Sequence, residues 1–132
     1  MKVLADSHAV LWYTQGSGRL SERAATALTE AEATDGVIVS VVSILDLWYV
    51  TQTTKALTEA EVSEVRATIV TSPAFVLQPV DLAIVDTTTA IPRDLLSDPW
   101  DRFIVATAKV LGIALVTKDA AIRDSKLVPT IW

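Results

Sequence analysis

Residues 97–117 read SDPWDRFIVATAKVLGIALVT. They contain one helix, one stop and one strand. Asp98 at an N-cap with Pro99 at the first helical position is a standard helix opening. A helix is therefore predicted over Pro99–Leu111, and Gly112 suits its end. Ile113–Thr117 then runs apolar without alternation, as a strand buried on both faces does. On the helix, Asp101, Ile104, Val105 and Ala108 share one side. A carboxylate thus lies on the face that should be buried, while Arg102 and Lys109 lie together on another side.

The same alternation extends outward along the chain. Strands are predicted at Lys2–Asp6, Val37–Val39, Phe75–Pro79 and Thr130–Trp132, with helices over His8–Gln15, Ser21–Ala33, Ser40–Thr53, Thr58 to about Thr71 and Asp81–Ala90. Thr58 and Glu61 have the capping-box spacing. Ser40–Thr53 is nearly all apolar and reads as a buried helix. Continuous apolar strands alternating with helices predict an α/β fold with a parallel sheet covered on both faces. The length of 132 residues fits a single domain over 1–132, and no repeats or linkers interrupt it.

Half the residues are hydrophobic, 51%, which excludes a disordered chain. The absence of cysteine excludes disulfides and thiolate metal sites and fits a cytoplasmic protein. Asp6 breaks the N-terminal apolar run too early for a signal peptide. Ser40, Ser43 and Asp46 break the longest apolar region before it reaches a membrane span. Net charge is −5, which argues against a generic nucleic-acid coat. The charge is uneven, at −6 over residues 1–90 and +1 over residues 91–132.

Four carboxylates stand out: Asp6 after the first strand, Asp46 as the only charge between Gly36 and Thr54, Asp101 on its inward face, and Asp119 after the fourth strand. In open α/β sheets, ligands bind beyond the carboxyl ends of the strands. Each acid alone has an ordinary alternative: a turn residue for Asp6 and Asp119, an internal pair or a loop cap for Asp46, and a favourable place in the helix dipole for Asp101. Gathered at one cleft, carboxylates repel one another and need a cation to coexist as anions. All-oxygen ligands select hard ions such as Mg²⁺ or Mn²⁺, which suits hydrolysis of a phosphodiester.

At this point the motifs resemble a known family, the PIN-domain proteins, and within them the VapC-type toxin ribonucleases of toxin–antitoxin pairs. LADSHAVLW resembles the family's opening strand and first acid, at Asp6. VSVVSILDLW resembles its S-x-x-S-x-x-E helix, with Asp46 at the second acid. SDPWDRFIVATA resembles D-P-F-D-R-x-x-x-A-x-A, with Asp101 at the third. LVTKDAAIRD resembles the T-x-D segment, with Asp119 at the fourth. The family usually has Glu where this chain has Asp46. The shorter side chain leaves three outcomes open: contact with the metal through a water, a helix that sits closer, or lower activity. Leu45 stands where a Trp often precedes that Glu.

The resemblance implies a three-layer α/β/α sandwich around a parallel sheet of about five strands. It implies Mg²⁺- or Mn²⁺-dependent endoribonuclease activity, a homodimer, and a cognate VapB-type antitoxin. Asp98, Ser7, Ser43 and Thr117 adjoin the acids and are candidates to support them, local backbone capping being their alternative. His8, Arg102 and Lys118 are candidates to contact RNA, with a solvated face or an ion pair as the alternative. Trp12, Trp48, Trp100 and Trp132 read as core or interface, with base stacking open to Trp100. Two other classes compete. A receiver-type phosphoryl-transfer domain also gathers acids at strand tips, but the third strand ends in Gln78-Pro79 without one. A PIN-like binding module with weakened catalysis is the other, and loss of metal binding would distinguish it.

Overall fold

The computed structural model describes residues 1–132. Five strands form one sheet: β1 (Val3–Ala5), β2 (Val37–Ser40), β3 (Phe75–Gln78), β4 (Ala114–Val116) and β5 (Thr130–Ile131). Their spatial order is β3-β2-β1-β4-β5, and every pairing is parallel. The residues of β1 and β2 are all buried, which explains their unbroken apolar runs.

Seven helices complete the fold: α1 (Ser7–Gln15), α2 (Glu22–Ala33), α3 (Val41–Thr53), α4 (Glu59–Thr71), α5 (Leu82–Ala90), α6 (Pro99–Leu111) and α7 (Ala120–Ser125). Alternate strand residues face opposite layers. Val3, Ala5, Val37 and Val39 pack with α1, α2 and α4 through Trp12, Leu28, Val65 and Ile69. Leu4, Ile38 and Leu115 pack with α5, α6 and α7 through Ile84, Ile104, Val105 and Ile122. The result is the expected three-layer α/β/α sandwich.

Local signals set the helix ends. Thr58 and Glu61 form a complete capping box on α4. Asp98 caps α6 through the Asp101 N–H, with Pro99 in the first turn, and Gly112 ends the helix at φ +65°. That left-handed conformation lets the chain turn at once into β4.

Two expectations need correction. The helix over Ser40–Thr53 is not buried: in α3 only Ser43 and Leu47 are, while Leu45, Trp48 and Tyr49 are 45%, 42% and 44% exposed. The helix carries large apolar residues on several sides, but only one of its faces meets the core. The reading also omitted α7, whose six residues are too few to show a helical period. No helix is long and apolar enough to cross a membrane.

Candidate active site

The sheet order places β1 between β2 and β4, so connections leave β1 in both directions. The crevice at that switch point is where open α/β sheets bind ligands. Asp6 leaves the tip of β1, and Thr117, Lys118 and Asp119 leave the tip of β4. Beyond the sheet, α3 brings Asp46 and the start of α6 brings Asp98 and Asp101.

These elements enclose a cavity of about 500 Å³, lined by Asp6, His8, Trp12, Asp46, Asp98, Trp100, Asp101, Lys118 and Asp119. All four acids singled out in the sequence meet there, and Asp98 joins them as a fifth. The chain's only ion pair is elsewhere, between the Met1 amino group and Asp35. None of the five cavity carboxylates is neutralised by a Lys, Arg or His within ion-pair distance.

Three of the acids are helix N-caps. Asp6 accepts from the Ser7 N–H at 2.6 Å, Asp98 from the Asp101 N–H at 3.1 Å, and Asp119 from the Ile122 N–H at 3.0 Å. The amino ends of α1, α6 and α7 therefore converge on the cavity, and their dipoles offset part of its negative charge. The offset is incomplete. Burial, then the charges of Asp119, Asp98, Asp6 and Asp46, push the Asp101 carboxyl up to about 7. Burial also raises Asp6, against the downward pull of its hydrogen bonds from Thr117 and Ser7 and of the nearby His8.

Of the supporting candidates, Thr117 is the most engaged. Its buried hydroxyl donates to Asp6 at 2.6 Å and accepts from the Asp119 N–H at 3.1 Å, so it ties two of the acids together. Ser7 is buried and holds Asp6 through its backbone. Ser43 is buried one turn before Asp46, and its hydroxyl makes no hydrogen bond. It does not line the cavity.

The three candidate RNA contacts separate. His8 and Lys118 are exposed and reach the cavity, both against Trp12: the His8 ring lies 5.5 Å from that indole, and the Lys118 ammonium 5.5 Å from its centre. Arg102 does not reach it. Its guanidinium donates to the carbonyls of Leu96, Thr88 and Ile91 at 2.8, 2.9 and 2.7 Å, joining α6 to the end of α5. The structure thus gives Arg102 a bracing role. Sequence reading passed over Tyr49, whose ring lies 5.6 Å from Trp100 at the cavity wall. Its position one turn beyond Asp46 was the available signal.

The donor set suits a hard divalent ion: several carboxylates, no thiolate, and mutual repulsion that a cation would relieve. As they stand, no three of the His, Asp and Glu side chains close on a single point. Waters would complete the coordination, as Mg²⁺ commonly requires.

This topology and site define a class, and comparison with known proteins gives it a name. The PIN domain family model matches residues 3–126, and the chain belongs to the PIN-domain family. Ribonuclease VapC22 of Mycobacterium tuberculosis is 31% identical over 125 residues, covering 94% of this chain and 92% of that protein. Among solved structures, VapBC2 from Rickettsia felis, bound to a DNA fragment from its promoter, superposes at a TM-score of 0.72 with 11% identity. The alignment covers 98% of this chain and 97% of the other. FitAcB from Neisseria gonorrhoeae gives a TM-score of 0.66 with 18% identity, covering 97% and 95%. The two structural likenesses speak to fold.

Proposed function

We propose that the chain is a metal-dependent endoribonuclease, the toxin of a type II toxin–antitoxin pair, with residues 1–132 acting as one domain. The observation that carries this reading is the cavity at the sheet's switch point, where five carboxylates gather without a cationic partner. Asp6, Asp46, Asp101 and Asp119 would hold Mg²⁺ or Mn²⁺, Asp46 through a water, with Asp98 at the rim. When bound, such an ion supplies Lewis acidity and lowers the pKa of a water.

The chain's own residues prepare the site. Thr117 and the Ser7 N–H fix both oxygens of Asp6, so the carboxylate presents a set orientation. Thr117 also anchors the backbone of Asp119. Lys118, resting over Trp12, supplies the cavity with an ammonium for a phosphate oxygen. His8 faces the same space and can donate a hydrogen bond to the substrate. In hydrolysis a water oxygen forms a bond to phosphorus, the bond to the leaving sugar oxygen breaks, and that oxygen takes up a proton.

The kinship with Ribonuclease VapC22 supports RNA as the substrate. The fold shared with VapBC2 and FitAcB supports a VapB-type antitoxin as partner, and a homodimer belongs to the same reading. The lack of cysteine supports a reducing cytoplasm. One observation favours a second reading, a PIN-like binding module: no three acids close on one point without a metal. Cleavage of RNA by purified protein with Mn²⁺ or Mg²⁺, compared with EDTA and with Asp6→Asn, separates the two. Metal-dependent fragments support the nuclease. No cleavage and no metal binding supports the module.

A further inference from the structure

The cavity has two unlike sides. One carries the cation Lys118 over Trp12. The other carries Trp100, which lines the cavity beside Asp46, Asp98 and Asp101. Trp100 does not stand alone. Its ring lies 5.6 Å from that of Tyr49, tilted by 39°, and Tyr49 lies 5.0 Å from Trp48, near edge-on at 73°. The three rings form a continuous ladder from the cavity wall outward across α3 and α6. Trp48 and Tyr49 are 42% and 44% exposed, and Trp100 is half-buried.

Large aromatics left this open need a reason, because burying them elsewhere would stabilise the fold. We infer that Trp100 and Tyr49 stack on a nucleobase of the RNA, next to the phosphate held in the acidic cavity. The inference rests on the nuclease reading above. Continuity decides the occupant: whatever occupies the cavity lies against the Trp100 ring. Every base has a π-face, and base–aromatic stacking needs no positive charge, which this side of the cavity lacks.

The test uses the full chain in Mn²⁺ and an oligoribonucleotide spanning a site that the wild type cuts in total RNA. Trp100→Ala and Tyr49→Ala should each raise KM roughly tenfold, with a much smaller change in kcat, while Trp100→Phe keeps most of the affinity. An abasic unit beside the cut should raise the wild-type KM by a similar factor and add little in Trp100→Ala. Unchanged KM in both alanine variants would overturn the ladder. So would unchanged kinetics with a shift from dimer to monomer on sizing, which would make this face a contact between copies. A wild type that cuts no RNA would remove the underlying reading and the ladder with it.

Discussion

The Thr117 hydroxyl donates to the Asp6 carboxylate at 2.6 Å, across 111 residues of chain, and accepts from the Asp119 N–H at 3.1 Å. One buried hydroxyl thereby links the acid at the tip of β1 to the acid that follows β4. Thr117→Val keeps the shape and removes both bonds. It should weaken Mn²⁺ binding about 10- to 100-fold, the usual effect of losing a group that orients a ligand. Thr117→Ser should restore most of it. Titration calorimetry on the three proteins measures both effects.

Crowded acids make metal-free protein sensitive to pH. Asp101 is raised from 3.8 to about 7, and Asp6 is raised as well. A carboxyl whose folded pKa exceeds its unfolded value holds its proton more tightly in the native state. It therefore favours folding at low pH and loses that advantage as pH rises towards its folded pKa. In EDTA the protein should melt at a higher temperature near pH ~5 than near pH ~8. Asp101→Asn should flatten that difference, as thermal scans across pH would show.

A divalent ion should act in the opposite direction. Bound to the native state alone, it stabilises by about 2.7 kcal/mol at a hundredfold excess over Kd. Melting temperature at pH ~8 should rise with Mn²⁺ and return with EDTA. Asp119→Asn should abolish most of the rise, and differential scanning calorimetry would follow it.

Arg102 braces the fold instead of contacting the cavity. Its removal strands the carbonyls of Ile91 and Leu96, both on buried residues, while the Thr88 carbonyl keeps the Ile91 N–H. Arg102→Ala should cost about 3 kcal/mol by denaturant unfolding. Arg102→Lys should recover little, because an ammonium lacks the planar fork that reaches several acceptors at once.

Most of this architecture was legible in the chain. The apolar runs at Val3–Ala5, Val37–Val39 and Ala114–Val116 do not alternate because both faces of these strands are covered. That pattern alone signals a parallel sheet. The acids were legible too, since Asp6 and Asp119 follow strands and Asp101 breaks an apolar face. Asp46 shows the limit. Its surroundings suggested burial, yet the helix turns Leu45, Trp48 and Tyr49 to the surface, and local hydropathy does not say which faces of a mostly apolar helix the core will cover. Arg102 shows another. Beside Asp101 its charge suggested phosphate, whereas its acceptors lie 6, 11 and 14 residues away, a relationship that only the packing of α5 on α6 creates.

The central claim is that the cavity cleaves RNA with a metal held by its carboxylates. Incubation of total RNA with purified protein in Mn²⁺ tests it most directly, beside EDTA and beside Asp6→Asn. The account predicts discrete fragments that vanish with EDTA and with the substitution. Fragments that persist in both would contradict it, because cleavage would then owe nothing to the metal or to Asp6.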